Sequence, residues 1–168
     1  MPGSLGHLTA RFFEVLSARP LQASEIDEVR SLITPAQSWL FFSQSGPDQR
    51  HGYQAAMMAR SGGLGPAGVR AALLHDVGKR HARLGVIGRS FASVAIKARL
   101  PLTSRWRLYR DHGRIGSKEL EALGSDSLVV EFAHHHHGTR PPGIPEHTWT
   151  ILQLADQPPK TGHRSRAE

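Results

Sequence analysis

A histidine and an aspartate stand side by side near the middle of the chain, as His75 and Asp76, and a lysine follows at position 79. Imidazole and carboxylate groups are common ligands of divalent metal ions. Neighbouring residues on a helix point about 100° apart, so both side chains can serve one site only at a helix end, or if Asp76 bridges two ions. We expect the helix to end at this pair with Gly78 as its stop. Lys79 would then place a positive charge at the edge of the site.

Further histidines and a second aspartate are spaced along the chain on both sides of this pair. His51 lies upstream, and His112 and a run of four histidines at 134–137 lie downstream. Consecutive residues spread around a helix, so the four histidines cannot all serve one site. Asp156 continues the apolar stripe of a predicted helix at 146–156, which would carry its carboxylate to the interior.

This order of residues (His, His-Asp, His, His, Asp) resembles the HD-domain superfamily of metal-dependent phosphohydrolases over roughly residues 50–157. The extra histidines resemble the branches that add ligands to the four-residue minimum, which include diadenosine-tetraphosphate hydrolases and cyclic-di-nucleotide phosphodiesterases. The segment 137–141 lacks the glutamate and the Gly-Tyr-Pro expected of the second branch. The matching pieces are Arg50-His51-Gly52, His75-Asp76-Val77-Gly78-Lys79, Asp111-His112-Gly113 and Leu154-Ala155-Asp156.

The resemblance implies an all-α, HD-domain helical bundle of about seven to nine helices. It also implies hydrolysis of a phosphate ester or anhydride by metal-activated water, with a nucleotide or dinucleoside polyphosphate as the first candidate substrate. Asp76 and Lys79 are the expected catalytic residues, and Arg80 and Arg140 are expected to bind substrate. The implied metal ligands are His51, His75, Asp76, His112, His135, His136 and Asp156.

Within the histidine run, His134 and His137 are expected to be bystanders. Nitrogen and oxygen ligands without thiolate suit Mn, Fe, Co, Ni or Zn. Four ligands would hold one ion, and the added histidines would supply enough for two, with Asp76 as the bridge. Two alternatives stay open: a non-catalytic module that binds metal and a phosphorylated ligand for signalling, and a di-iron oxygenase of the HD fold.

The composition sets limits on class and partners. The chain has 168 residues, no cysteine and a formal net charge of +7, so disulfides and thiolate metal sites are excluded. Ten Lys or Arg residues and one acid, Asp111, lie between Lys79 and Arg114. This basic segment would attract a phosphorylated small molecule, RNA or an anionic membrane surface, or be a solvated face without a partner. No run of 18 apolar residues and no signal peptide is visible, which predicts a cytoplasmic protein without a membrane span.

The predicted organisation has three parts. Residues 1–45 form a helical layer packed on the core, residues 46–157 form the metal-binding core, and residues 158–168 form a disordered tail. Ser24, Thr34 and Ser125 are predicted helix N-caps. Helices are predicted over residues 5–18, 48–61, 112–123 and 146–156, with one more running from Pro66 to the His75-Asp76 pair and one interrupted at Leu100-Pro101.

Overall fold

Apolar residues recur at helical spacing along the chain, and this pattern sets the architecture. The computed structural model describes residues 19–157, without the side chains at 86 and 87. Over that range the protein has nine α-helices, one short 3-10 helix and no strand, which confirms the predicted all-α bundle. The α-helices are α1 (Ala23–Leu32), α2 (Pro35–Phe42), α3 (Gly46–Ser61), α4 (Pro66–Leu74), α5 (Val86–Lys97), α6 (Ser104–Arg110), α7 (His112–Ala122), α8 (Ser127–His135) and α9 (Glu146–Ala155), and the 3-10 helix spans Val77–His81. The predicted helix at 5–18 and the predicted tail at 158–168 lie outside the described residues.

Helix α4 lies at the centre of the bundle. Its residues are small or aliphatic apart from Arg70, and it packs against α3, α8 and α9. A methyl group on Gly52 of α3 would lie 2.7 Å from the carbonyl oxygen of Leu73, so α3 crosses α4 at a distance that only glycine permits. The C-terminal end of α4 therefore points into the middle of the molecule with helices on several sides.

Helices α1 and α2 contribute to the same hydrophobic core as α4, through Val29, Ile33, Leu40 and Phe41. Arg50 of α3 ties α1 to this core, because its guanidinium donates to both carboxylate oxygens of Glu25 at 2.7 and 2.8 Å. Burial of these apolar side chains gives the two helices a shared driving force with the rest of the bundle.

The N-caps were predicted with mixed success. Thr34 caps α2, where its hydroxyl accepts from the backbone N–H of Gln37 at 3.2 Å, and Pro35 is the first helical residue. The prediction for Ser24 is wrong, because α1 begins at Ala23 after the N-cap Gln22. The prediction for Ser125 is also wrong: Asp126 is the N-cap of α8, and the Ser125 hydroxyl instead accepts from the Gln37 side chain at 2.8 Å.

The role predicted for Gly78 is wrong as well. Helix α4 ends at Leu74, and Gly78 lies inside the 3-10 helix with an ordinary negative φ. A methyl group there would overlap the carbonyl oxygen of His112 and lie 2.8 Å from the backbone nitrogen of Gly116. The glycine is required because the 3-10 helix packs directly on the backbone of α7. By contrast, Gly124 does follow the end of α7 in a left-handed conformation, with φ +67.

Helices α5 and α6 lie on the outside of the bundle and are separated by the predicted break at Leu100-Pro101. Arg89 fastens α5 to the start of α3, because its guanidinium forms a two-pronged ion pair with Asp48, with Nη2 2.6 Å from Oδ2. Among the described helices, none has the length and apolar content needed to cross a membrane.

Candidate metal centre

The chain turns sharply where α4 meets the 3-10 helix, and this turn brings His75 and Asp76 into one interior site. His75 keeps a helical conformation, whereas Asp76 has φ −100 and ψ 4 and begins the 3-10 helix. The side chains of His75 and Asp76 are 0% and 2% exposed. Neighbouring residues within a helix point about 100° apart, but the change of direction after His75 lets both side chains face the same site.

A first group of potential ligands combines these two residues with His51 of α3 and Asp156 at the end of α9. Oδ1 of Asp156 lies 3.0 Å from Nε2 of His51 and 2.9 Å from Nε2 of His75. Oδ2 of Asp76 lies 3.4 Å from Nε2 of His75 and 3.8 Å from Nε2 of His51. One ligand atom from each of the four residues lies within 4.8 Å of the others, which is the spacing of a group that could hold one metal ion.

A second group lies on the other side of the same aspartate and combines it with His112, His136 and His137. Oδ1 of Asp76 is 3.1 Å from Nε2 of His112 and 3.4 Å from Nε2 of His136. The two imidazole Nε2 atoms are 3.2 Å apart. Ligands about 2.0–2.1 Å from a tetrahedral ion are separated by roughly 3.3 Å, so these spacings fit a metal site.

The two oxygens of Asp76 divide between the groups, with Oδ2 toward the first and Oδ1 toward the second. Lys79 Nζ donates to Oδ2 at 2.5 Å. Oδ1 is buried and accepts no aligned hydrogen bond from any described residue. An unsatisfied buried carboxylate oxygen is costly, and a cation between Oδ1 and the histidines would remove that cost.

Backbone hydrogen bonds fix which nitrogen of three buried histidines can bind a metal. Nδ1 of His75 donates to the carbonyl of Ala72 at 2.7 Å, and His112 and His136 make the same contact with the carbonyls three residues before them. A carbonyl only accepts, so each Nδ1 carries a proton and each neutral ring turns its Nε2 lone pair into the site. Hydrogen bonds of this kind orient metal-binding histidines in known sites.

The electrostatics of the centre without metal show how closely its charges are coupled. Burial lowers the pKa of His75, but attraction to Asp76 and Asp156 outweighs it and raises that pKa to about 10. Burial would raise the pKa of both carboxylates, yet the His75 charge, aided by Lys79 at Asp76, holds both well below their usual values. Burial and the nearby His75 charge lower the pKa of His136. In the protein without metal, a proton on His75 therefore supplies the positive charge that Asp76 and Asp156 would otherwise receive from a metal ion.

The structure brings six of the seven predicted ligands together: His51, His75, Asp76, His112, His136 and Asp156. It differs at the histidine run, where His137, predicted as a bystander, joins the second group and His135 does not. His136 continues the buried stripe of Val129, Phe132 and Ala133 at helical spacing, and His135 lies off that stripe with its ring against His134. That periodicity, extended by one turn, was a signal that separates His136 from His135.

The two arginines predicted to bind substrate have other partners. Arg80 donates to both oxygens of Glu119, at 2.7 and 2.5 Å, and to the carbonyl of Val77. Its side chain is only 8% exposed, so its charge is already satisfied inside the bundle. Arg140 donates to the carbonyl of Ile144 at 2.7 Å within the loop before α9, and it belongs to neither ligand group.

A groove of about 580 Å³ borders the first ligand group and had no counterpart in the sequence predictions. His51 lies at its edge, and Tyr53, Met57 and Met58 line it from α3. The groove is open to solvent and is lined by both polar and apolar side chains. No sequence signal marks it, because it depends on how α3, α1 and the end of α9 pack together.

Three comparisons with known proteins, against family models, curated proteins and solved structures, find no match. Histidine and aspartate groups that could hold metal ions meet at Asp76, in a bundle without any cysteine. Such nitrogen and oxygen ligands suit first-row divalent ions better than Mg²⁺, which prefers oxygen and water.

Proposed function

We propose that the protein is a metal-dependent phosphohydrolase that cleaves a phosphate ester or anhydride with metal-activated water. One observation carries this proposal: Asp76 is a buried carboxylate shared by two histidine groups whose Nε2 lone pairs face it. Shared carboxylates are how two-ion hydrolytic centres hold their ions close together. The resemblance of the residue order to the HD-domain superfamily supports the same reaction class.

The ligand groups leave room for substrate. His51 and Asp156 are 28% and 20% exposed at their side chains, and His137 is exposed on the second group. Sites that keep an open side are typical of catalytic metal centres, whereas structural sites are closed. A bound divalent ion supplies a water of lowered pKa and polarises a phosphoryl oxygen.

Residues of the chain have separate roles in this reaction. Asp76 holds and orients the centre through both oxygens. Lys79 keeps a positive charge against Asp76 Oδ2, where negative charge builds on a phosphoryl group in the transition state. The groove beside His51 would accept the part of the substrate that is not phosphate, and a nucleotide or dinucleoside polyphosphate is the first candidate by resemblance.

The test is the metal content of the purified, untagged protein by elemental mass spectrometry, followed by a screen of nucleotide and dinucleoside polyphosphates with the metal that is found. We expect bound Mn, Fe, Co, Ni or Zn and release of phosphate. His136→Ala should lose metal, whereas the neighbouring His135→Ala should retain it and serve as the matched control. Asp76→Asn, which preserves shape and removes charge, should lose both metal and activity.

Two results would replace the proposal with the alternatives raised by the sequence. Tight binding of metal and of a phosphorylated ligand without turnover of any phosphate substrate would indicate a binding module. Bound iron with oxygen consumption and no phosphate release would indicate a di-iron oxygenase. A fully metallated and active Asp76→Asn protein would contradict the site assignment itself.

A further inference from the structure

Helix α5 exposes two large apolar side chains and buries two small ones. Its small residues Ala92 and Ala95 face the protein and are 0% and 3% exposed, whereas Phe91 and Val94 face outward and are 62% and 50% exposed. Leu100, just beyond the helix, is 54% exposed. Large apolar side chains normally face the core, so an outward-facing group of this kind indicates a surface that contacts something else.

Two basic side chains lie beside this apolar group in the chain. Lys97 and Arg99 are exposed and follow it directly in the chain, and we name the surface formed by Phe91, Val94, Lys97, Arg99 and Leu100 the α5 face. Between residues 77 and 110 the sequence holds nine Lys or Arg residues and no Asp or Glu. The surface therefore combines exposed apolar area with uncompensated positive charge.

Several cations of this segment are already used inside the protein, which separates them from those of the α5 face. Lys79, Arg80 and Arg89 pair with Asp76, Glu119 and Asp48. Within residues 19–157, no ion pair is recorded for Lys97 or Arg99. The basic segment of the sequence thus contains two kinds of cation: those in buried ion pairs, and the exposed Lys97 and Arg99 of the α5 face.

We propose that the α5 face docks on an anionic phospholipid surface. A helix that presents apolar residues with Lys and Arg beside them binds in this way, because the apolar side chains enter the boundary of the acyl chains while the cations meet lipid phosphates. A two-fold contact between copies would bring two positively charged faces together without an acidic residue on either, which opposes association. Nucleic acid would use the cations but gain little from the aliphatic Val94 and Leu100.

This docking is peripheral and independent of the proposed hydrolysis. Helix α5 would then lie between the lipid surface and the start of α3, since Arg89 of α5 is paired with the buried Asp48 in the first turn of that helix.

The experiment is co-sedimentation of the full chain with vesicles of phosphatidylcholine alone and of phosphatidylcholine mixed with phosphatidylserine. We expect binding to the mixed vesicles only, with an affinity that falls as salt is raised. The double variant Phe91→Ser/Val94→Ser should bind at least about tenfold more weakly, because both side chains lose apolar burial. Leu123→Ser, at a 39% exposed apolar position at the end of α7, is the matched control and should bind like the wild type.

A second variant tests the charge separately from the apolar contacts. Lys97→Gln should weaken binding to mixed vesicles by about fivefold, the usual contribution of one cation near an anionic membrane. Phe91, Val94 and Lys97 are all exposed, so the circular dichroism and the thermal unfolding of both variants should match those of the wild type. Three results would each overturn the proposal: no binding to mixed vesicles, equal binding to pure phosphatidylcholine, or unchanged binding of Phe91→Ser/Val94→Ser. RNA binding or dimer formation lost in that variant, without vesicle binding, would assign the face to those partners instead.

Discussion

The carboxylate of Asp76 interacts with several charged or polar side chains at once. It is buried, it faces histidines with both oxygens, and Lys79 Nζ lies 2.5 Å from Oδ2. The attraction of His75 and Lys79 keeps its carboxyl ionised, although burial alone would raise its pKa. A buried anion of this kind is stable only with cations on more than one side.

Lys79 should affect turnover more than metal binding. We expect Lys79→Met to retain metal and to lower kcat by about 10²-fold, the usual cost of losing one charge-stabilising group in a transition state. Metal content and kcat measured on the same preparation would separate these two effects. Lys118→Met, at an exposed lysine on α7, is the matched control. Loss of metal in Lys79→Met would mean that the lysine supports the ligands and not the reaction.

The raised pKa of His75 gives the metal-free protein a specific pH dependence. A histidine whose pKa is near 10 in the folded state and near 6.5 in the unfolded state stabilises the fold fully below pH 6.5. That contribution is lost as the pH rises through about 10. We expect the thermal stability of the chelator-treated protein to fall over this window. The metal-loaded protein should not show the fall, because the ion replaces the proton; thermal unfolding at several pH values measures both.

At this scale the sequence was informative about residue types and uninformative about their directions. His51, the His75-Asp76 pair, His112 and Asp156 could be selected because none of them lies in a run of identical side chains. The run at 134–137 offers four identical side chains, and only the apolar stripe of α8, extended by one turn, distinguishes His136 from His135. The ion pair of Arg80 was not visible in the sequence for a related reason: its partner Glu119 lies 39 positions away, and local sequence does not reveal such a pair.

The contact between the 3-10 helix and α7 is the element on which the centre depends most. Gly78 and Gly116 approach so closely that a methyl group on Gly116 would lie 2.9 Å from the backbone nitrogen of Gly78. His112 begins α7 directly beside this contact, and Asp76 lies two residues before Gly78. The two glycines therefore set the distance between Asp76 and the His112 side chain of the second ligand group.

Gly78→Ala should separate these two elements. We expect a loss of about 1–3 kcal/mol in the free energy of unfolding, which is typical of an overpacked interior, together with weaker metal binding. Chemical denaturation and metal titration measure the two effects. Gly46→Ala is the matched control, since a methyl group there would have no neighbour within 4 Å. Equal stability of the two variants would contradict the close packing of Gly78 against α7.

Element positions were predictable where the apolar pattern faces the core, as in α4, α7 and α9. The pattern was least readable between residues 81 and 110, and α5 supplies the reason. A helix that buries alanine and exposes phenylalanine cannot be oriented by the rule that large apolar residues face inward. The same inversion is what indicates a docking surface.

On the scale of the whole molecule, the two ligand groups connect α3, the end of α4, α7, α8 and α9. A metal that binds only the folded state stabilises it by mass action, about 2.7 kcal/mol at a hundredfold excess over Kd. For a protein of this size we expect metal to raise Tm by about 5–10 °C over the chelator-treated protein. Differential scanning calorimetry measures the shift, and Asp76→Asn should show none. An equal shift in that variant would place the metal elsewhere.

The first ligand group also has a consequence for biosynthesis. Asp156 lies 105 positions after His51 and 81 after His75. At about 5–20 residues per second, the last ligand leaves the ribosome roughly 5–20 s after the first. A nascent chain therefore carries His51, His75 and Asp76 without the carboxylate that completes their group, and any ion it meets in that interval has fewer ligands and exchanges more readily. The ion that the protein finally keeps is then selected from the metals around the finished chain, after α9 has docked.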